Sequence, residues 1–133
     1  MLHFYIGVIR PVLEYATPVW HTNINDELSE CLESLQKRSL RIIYGGESFT
    51  NSSYQSFCET LSILPLRTRR DELARNFFQK LLDPSCCLHY LIPEKRNNSQ
   101  VAKLRNQKSY SPPFARTNKF KNSFIVYALH HYV

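Results

Sequence analysis

The sequence predicts a mainly α fold: a small bundle of about four helices, an irregular basic C-terminal segment and a short terminal helix. Three observations carry that expectation. Apolar residues recur every three or four positions through two long stretches, around 26–44 and 65–82. Gly45 and Gly46, two of only 3 glycines, stand where the first of these stretches ends. The 133 residues are 43% hydrophobic, 21% charged and 13% aromatic, which is globular usage and too apolar for a chain disordered throughout.

The elements follow in order. Leu2 to Tyr15 reads as a first helix, with Phe4, Val8, Val12 and Tyr15 near helical spacing. Pro11 has no N–H to donate and should kink or restart it. Pro18 turns the chain, and Trp20 is expected to anchor that turn in the core. The second helix is the clearest. Asn25 or Asp26 caps it, and Asp26, Glu27 and Glu30 suit its positive end. Leu28, Cys31, Leu32, Leu35, Ile42 and Ile43 trace the face expected to be buried. Lys37, Arg38 and Arg41 suit the negative end, and the glycines stop the helix. Phe49 to Ser53 is a polar loop. A short helix is expected over Ser53 to Leu61, with Tyr54, Phe57 and Leu61 on one side. Pro65 opens a further helix running to about Leu82, which Asp83-Pro84 ends. Asn, Gln, Ser, Lys and Arg dominate from Pro93 to Asn118, and that stretch reads as extended and irregular. Apolar spacing returns from Phe120 to Tyr132. These readings divide the chain into a helical domain over 1–92, a basic linker over 93–118 and a docking segment over 119–133.

Charge is unevenly distributed. Lys and Arg number 17 against 11 Asp and Glu, a net charge of +6. Residues 1–36 carry one base and five acids, a net −4, whereas residues 81–133 carry eight bases and two acids, a net +6. A basic half of this kind favours a polyanionic partner, and binding of that type weakens with salt. In the last part Tyr110, Phe114, Arg116, Lys119, Phe120, Lys121 and Phe124 alternate ring and charge, a mixture that suits single-stranded nucleic acid. The bland alternative is a tail whose rings pack inward while its charges face water.

Several chemistries find no support. No run approaches the ~18 apolar residues a membrane helix needs, so no membrane partner is expected. No Walker motif, Gly-x-Ser-x-Gly or Asp-Asp doublet occurs. Cys86-Cys87-Leu88-His89 is the one cluster resembling a metal site, but adjacent cysteines ligate one zinc poorly and no second pair follows. No catalytic residue, metal or cofactor is expected. The spacing of Cys31, Cys58, Cys86 and Cys87 fits neither a zinc ribbon nor a small disulfide scaffold, so the thiols read as reduced and the protein as intracellular, in nucleus or cytoplasm alike.

Four stretches resemble the region behind the palm of non-LTR (LINE-like) retrotransposon reverse transcriptases. They are YIGVIRPVLEYATPVW from Tyr5 to Trp20, LESLQKRSLRIIYG from Leu32 to Gly45, LPLRTRRDELARNFFQKLL from Leu64 to Leu82, and RTNKFKNSFIVYAL from Arg116 to Leu129. Val126 departs from the last motif, where the family usually has proline. The resemblance implies a thumb and post-thumb region without the catalytic palm and its aspartates, hence a non-enzymatic piece of an RNA-directed DNA polymerase. It implies RNA or an RNA–DNA duplex as partner, held through its backbone. Lys37, Arg38 and Arg41 lie in the second motif, Arg69 and Arg70 in the third, and Arg116, Lys119 and Lys121 in the fourth; these are the candidate contacts. A thumb apart from its palm would leave Leu2, Phe4, Ile6 and Ile9 exposed, so docking on the missing polymerase domains or self-association is a second expectation, and a functionless relic a third. An enzyme using Cys87 and His89 ranks last.

Overall fold

The structure is a computed structural model and describes residues 1–45, 54–97 and 109–133. The polar loop expected over Phe49 to Ser53, and residues 98–108 of the irregular linker, lie outside the described residues. The chain is mainly helical, and no strand occurs among the described residues. The expected four helices prove a loose count, because short helical pieces lie between the long ones. Two compact units form, one from residues 1–17 and 24–72, the other from 18–23 and 73–133. The division falls inside a helix, between residues 72 and 73.

In the first unit, α1 (Leu2–Phe4) passes into a π-helical turn over Tyr5–Ile9 and then into α2 (Arg10–Leu13). The Arg10 N–H reaches back to the Tyr5 carbonyl. Pro11 stands in the first turn of α2, so the helix restarts there after a widened turn, as expected of a residue without an N–H. Ala16 then takes a left-handed φ of 50°, and α3 (Thr17–Trp20) follows. Trp20 is only partly buried.

The helix α4 (Asp26–Tyr44) has the expected ends. The Asn25 side chain accepts from the Leu28 N–H at 2.9 Å. Gly45, at φ 83°, donates its N–H to the Arg41 carbonyl at 3.0 Å, a conformation that favours glycine. The expected face is reversed. Ser29, Glu33, Gln36 and Leu40 are buried, while Leu28, Leu35 and Ile42 are 56%, 46% and 69% exposed. Cys31 is exposed as well.

The reversal has a chemical cause. Gln36 is fully buried and Glu33 nearly so, and their polar atoms are matched by other segments. The Tyr5 hydroxyl donates to Gln36 Oε1 at 2.6 Å, and Gln36 Nε2 donates to Tyr54 Oη at 2.7 Å and the Leu64 carbonyl at 3.1 Å. The Tyr54 hydroxyl donates to Glu33 Oε1 at 2.5 Å. Glu33 also accepts from the Leu66 and Arg67 N–H groups, each at 3.1 Å. Those two amides open the helix α6 (Leu66–Leu81), which α5 (Tyr54–Thr60) precedes in the chain. Glu33 therefore satisfies orphan donors at the positive end of α6, favourable for hydrogen bonding and for the helix dipole together. Beside this network Leu40, Cys58 and Ile63 form a small core, flanked by Leu2, Tyr54, Phe57 and Leu61.

In the second unit, Ala74, Phe78 and Leu81 of α6 pack with Tyr110, Ala128, Leu129 and Tyr132. Full burial of a side chain such as Phe78 contributes about 1.5–3 kcal/mol. The end of α6 is tied off locally. His89 Nδ1 lies 2.8 Å from the Leu81 carbonyl, and the Ser85 N–H donates to Asp83 Oδ1 at 2.9 Å. That N–H bond holds the Asp83 carboxyl below its ordinary value. The expected terminal helix appears as two pieces, α7 (Asn118–Lys121) and α8 (Phe124–His131). Thr117 Oγ1 caps the first, accepting from the Phe120 N–H at 3.3 Å.

Candidate nucleic-acid interface

The structure distributes the eight candidate cations into three environments. On α4, Arg38 and Arg41 are exposed, and Lys37 sets its Nζ over the Tyr54 ring at 4.9 Å. Arg69 is paired, its guanidinium bonded to the Glu14 carboxylate, which also has Arg10 Nε at 3.7 Å. Arg70 is 1% exposed and donates from Nη2 to Ser29 Oγ at 2.6 Å. Burial lowers the pKa of Arg70, with the nearby Glu33 acting in the opposite sense. The expectation that Arg70 touches a phosphate is therefore corrected: its guanidinium is withdrawn from solvent and serves the packing of α6 on α4. Arg69 is largely committed in the same way. Arg116, Lys119 and Lys121 are all exposed, on and just before α7.

The alternating rings divide as well. Tyr110 and Phe124 are drawn into or against the core of the second unit, where Phe124 packs on Phe77 and Phe78. Phe114 is 90% exposed, and Phe120 is exposed beside Lys119 and Lys121. The inward-packing and outward-facing readings each hold for half the rings.

Lys121 belongs to an open cleft of about 580 Å³, lined also by Asn118, Asn122, Tyr127, His130 and His131. The Tyr127 and His131 rings stack there, with centroids 4.2 Å apart. Two amides, one ammonium, two imidazoles and a stacked ring pair offer donors and acceptors to a base edge and a cation to a phosphate. Of this set the sequence marks Lys121 as a candidate contact, while His130-His131 on its own carries little weight as a site. Asn118 and Asn122 stand one helical turn apart, and a four-residue spacing also links Tyr127 to His131. Those spacings were the available signal.

Other features offer less chemistry. Cys86 packs against the second core, Cys87 is exposed, and the His89 ring nitrogen is engaged with a carbonyl. Among the described residues no group of three or more His, Cys, Asp or Glu side chains converges on a point. No helix among them is long and apolar enough to cross a membrane.

No protein family, curated protein or solved structure matches this chain.

Proposed function

We propose that the chain is a non-catalytic nucleic-acid-binding module of the thumb type, similar to the region behind the palm in non-LTR reverse transcriptases. The observation that supports it best is the cleft around Lys121, with exposed Arg116, Lys119 and Phe120 nearby in the sequence. The module contributes cations to phosphates and rings to bases, and no catalytic step is assigned to it. Of the motif residues, Arg116, Lys119 and Lys121 are the proposed contacts; Arg69 and Arg70 support the fold.

The test is fluorescence anisotropy with a labelled RNA–DNA duplex and a labelled single-stranded RNA, titrated across salt. Binding is expected to fall linearly on a log–log scale. Replacing Lys119 and Lys121 with Ala should flatten the slope by about two, roughly one per lost phosphate contact. A folded protein that binds neither probe at low salt would end this reading.

A further inference from the structure

The exposed side of α4 carries an apolar stripe. Leu28, Cys31, Leu35 and Ile42 follow steps of three, four and seven, which keep them on one side of the helix as in a two-helix seam. All four are exposed, and Glu33, Gln36 and Leu40 on the opposite side are fixed inside the first unit. An apolar groove of about 410 Å³, lined by Met1, Phe4, Ile9, Ile42 and Ile43 among others, continues the seam at its C-terminal end.

We infer that this face binds a second copy of the same chain, with the two α4 helices antiparallel and Leu35 on the two-fold axis. Charge decides both occupant and direction. Exposed Glu27 and Glu30 precede the midpoint of the seam, and exposed Arg38 and Arg41 follow it. All four lie along one flank of the stripe. A two-fold axis perpendicular to the helices keeps that flank on the same side in both copies and reverses its order. Each residue then lies level with its mirror position about Leu35. Arg38 and Arg41 of the second copy fall within about two residues, or ~3 Å of helix rise, of Glu30 and Glu27. Leu28 of the second copy faces Ile42 at the mouth of the groove. A parallel pairing, with its axis along the helices, would carry the two charged flanks to opposite sides of the seam and leave these acids and bases unmatched. Antiparallel packing also opposes the two helix dipoles favourably.

The test uses the full chain in sedimentation velocity. A species of twice 15.7 kDa is expected. Leu35→Glu should give a monomer with unchanged helical circular dichroism, because Leu35 faces solvent within its own chain. Glu27→Arg with Glu30→Arg should also dissociate it, and adding Arg38→Glu with Arg41→Glu should restore it. Direction is read by cross-linking. Leu35→Cys in a Cys31→Ser background should oxidise to a disulfide dimer. Native Cys31 should not, since antiparallel pairing separates the two Cys31 positions by about 12 Å along the helices. A chain that stays monomeric at tens of micromolar overturns the proposal and leaves the face to a different polypeptide. A dimer that survives Leu35→Glu, or one that cross-links through Cys31, overturns it equally.

Discussion

Glu33 accepts three hydrogen bonds from three places: the Tyr54 hydroxyl and the Leu66 and Arg67 amides. Removing its carboxylate strands those donors in a closed site, and each stranded group costs about 1–3 kcal/mol. Glu33→Ala is therefore expected to lose at least about 3 kcal/mol, a large part of the ~5–15 kcal/mol that holds a domain. Urea unfolding measures it, and a change below about 1 kcal/mol, the lower bound for a single stranded group, would contradict this account of the network. Tyr5 gives a second residue-scale prediction. Burial pushes its hydroxyl up to about 12, and Tyr54 is raised by burial and by its bond to Glu33. Folding therefore favours the neutral form of both groups. Their contribution is whole below the ordinary tyrosine value near 10 and is lost as pH rises from there toward 12. Melting temperature should fall steeply above about pH 10, and Tyr5→Phe should blunt that fall while lowering stability at neutral pH. Asp83 acts at the other end: its depressed value adds stability above the ordinary carboxyl range, and that part is lost as pH drops through it.

At the scale of elements, Ala16 offers a test of the turn between α2 and α3. Its φ of 50° places a side chain where L-residues pay about 1–2 kcal/mol. Ala16→Gly relieves that strain but loosens the unfolded chain, so a net gain of up to about 1 kcal/mol is expected from chemical denaturation. A loss would show that the Ala16 methyl packs usefully. Helix ends were legible in the sequence because capping is local: Asn25, Gly45 and Thr117 act on amides and carbonyls within four residues of themselves. The buried face of α4 was not legible. Periodicity sees which residues are apolar, and here the inward side is chosen by polar partners on Tyr5, Tyr54 and the start of α6, all distant in sequence. The π turn before Pro11 was likewise hidden, since proline announces a lost donor but not how the chain accommodates it.

For the whole molecule, the basic surplus was legible, but its assignment to functions was not. By charge alone Arg69 and Arg70 look like Arg116 and Lys121; only the fold turns the first two toward Glu14 and Ser29 and leaves the others in solvent. The cleft was hidden because two short helices assemble it. The inverted α4 also separates two kinds of selection that are ordinarily fused. On most helices a polar substitution in the apolar stripe destroys folding and association at once. Here a saturation scan scored by cellular abundance should pass polar residues at Leu28, Leu35 and Ile42 and reject apolar ones at Glu33 and Gln36. Scored by any contact that the chain makes through α4, the same scan should instead reject the polar replacements of Leu28 and Leu35. The helix thus writes its architecture in polar letters and leaves the apolar ones free to evolve for company.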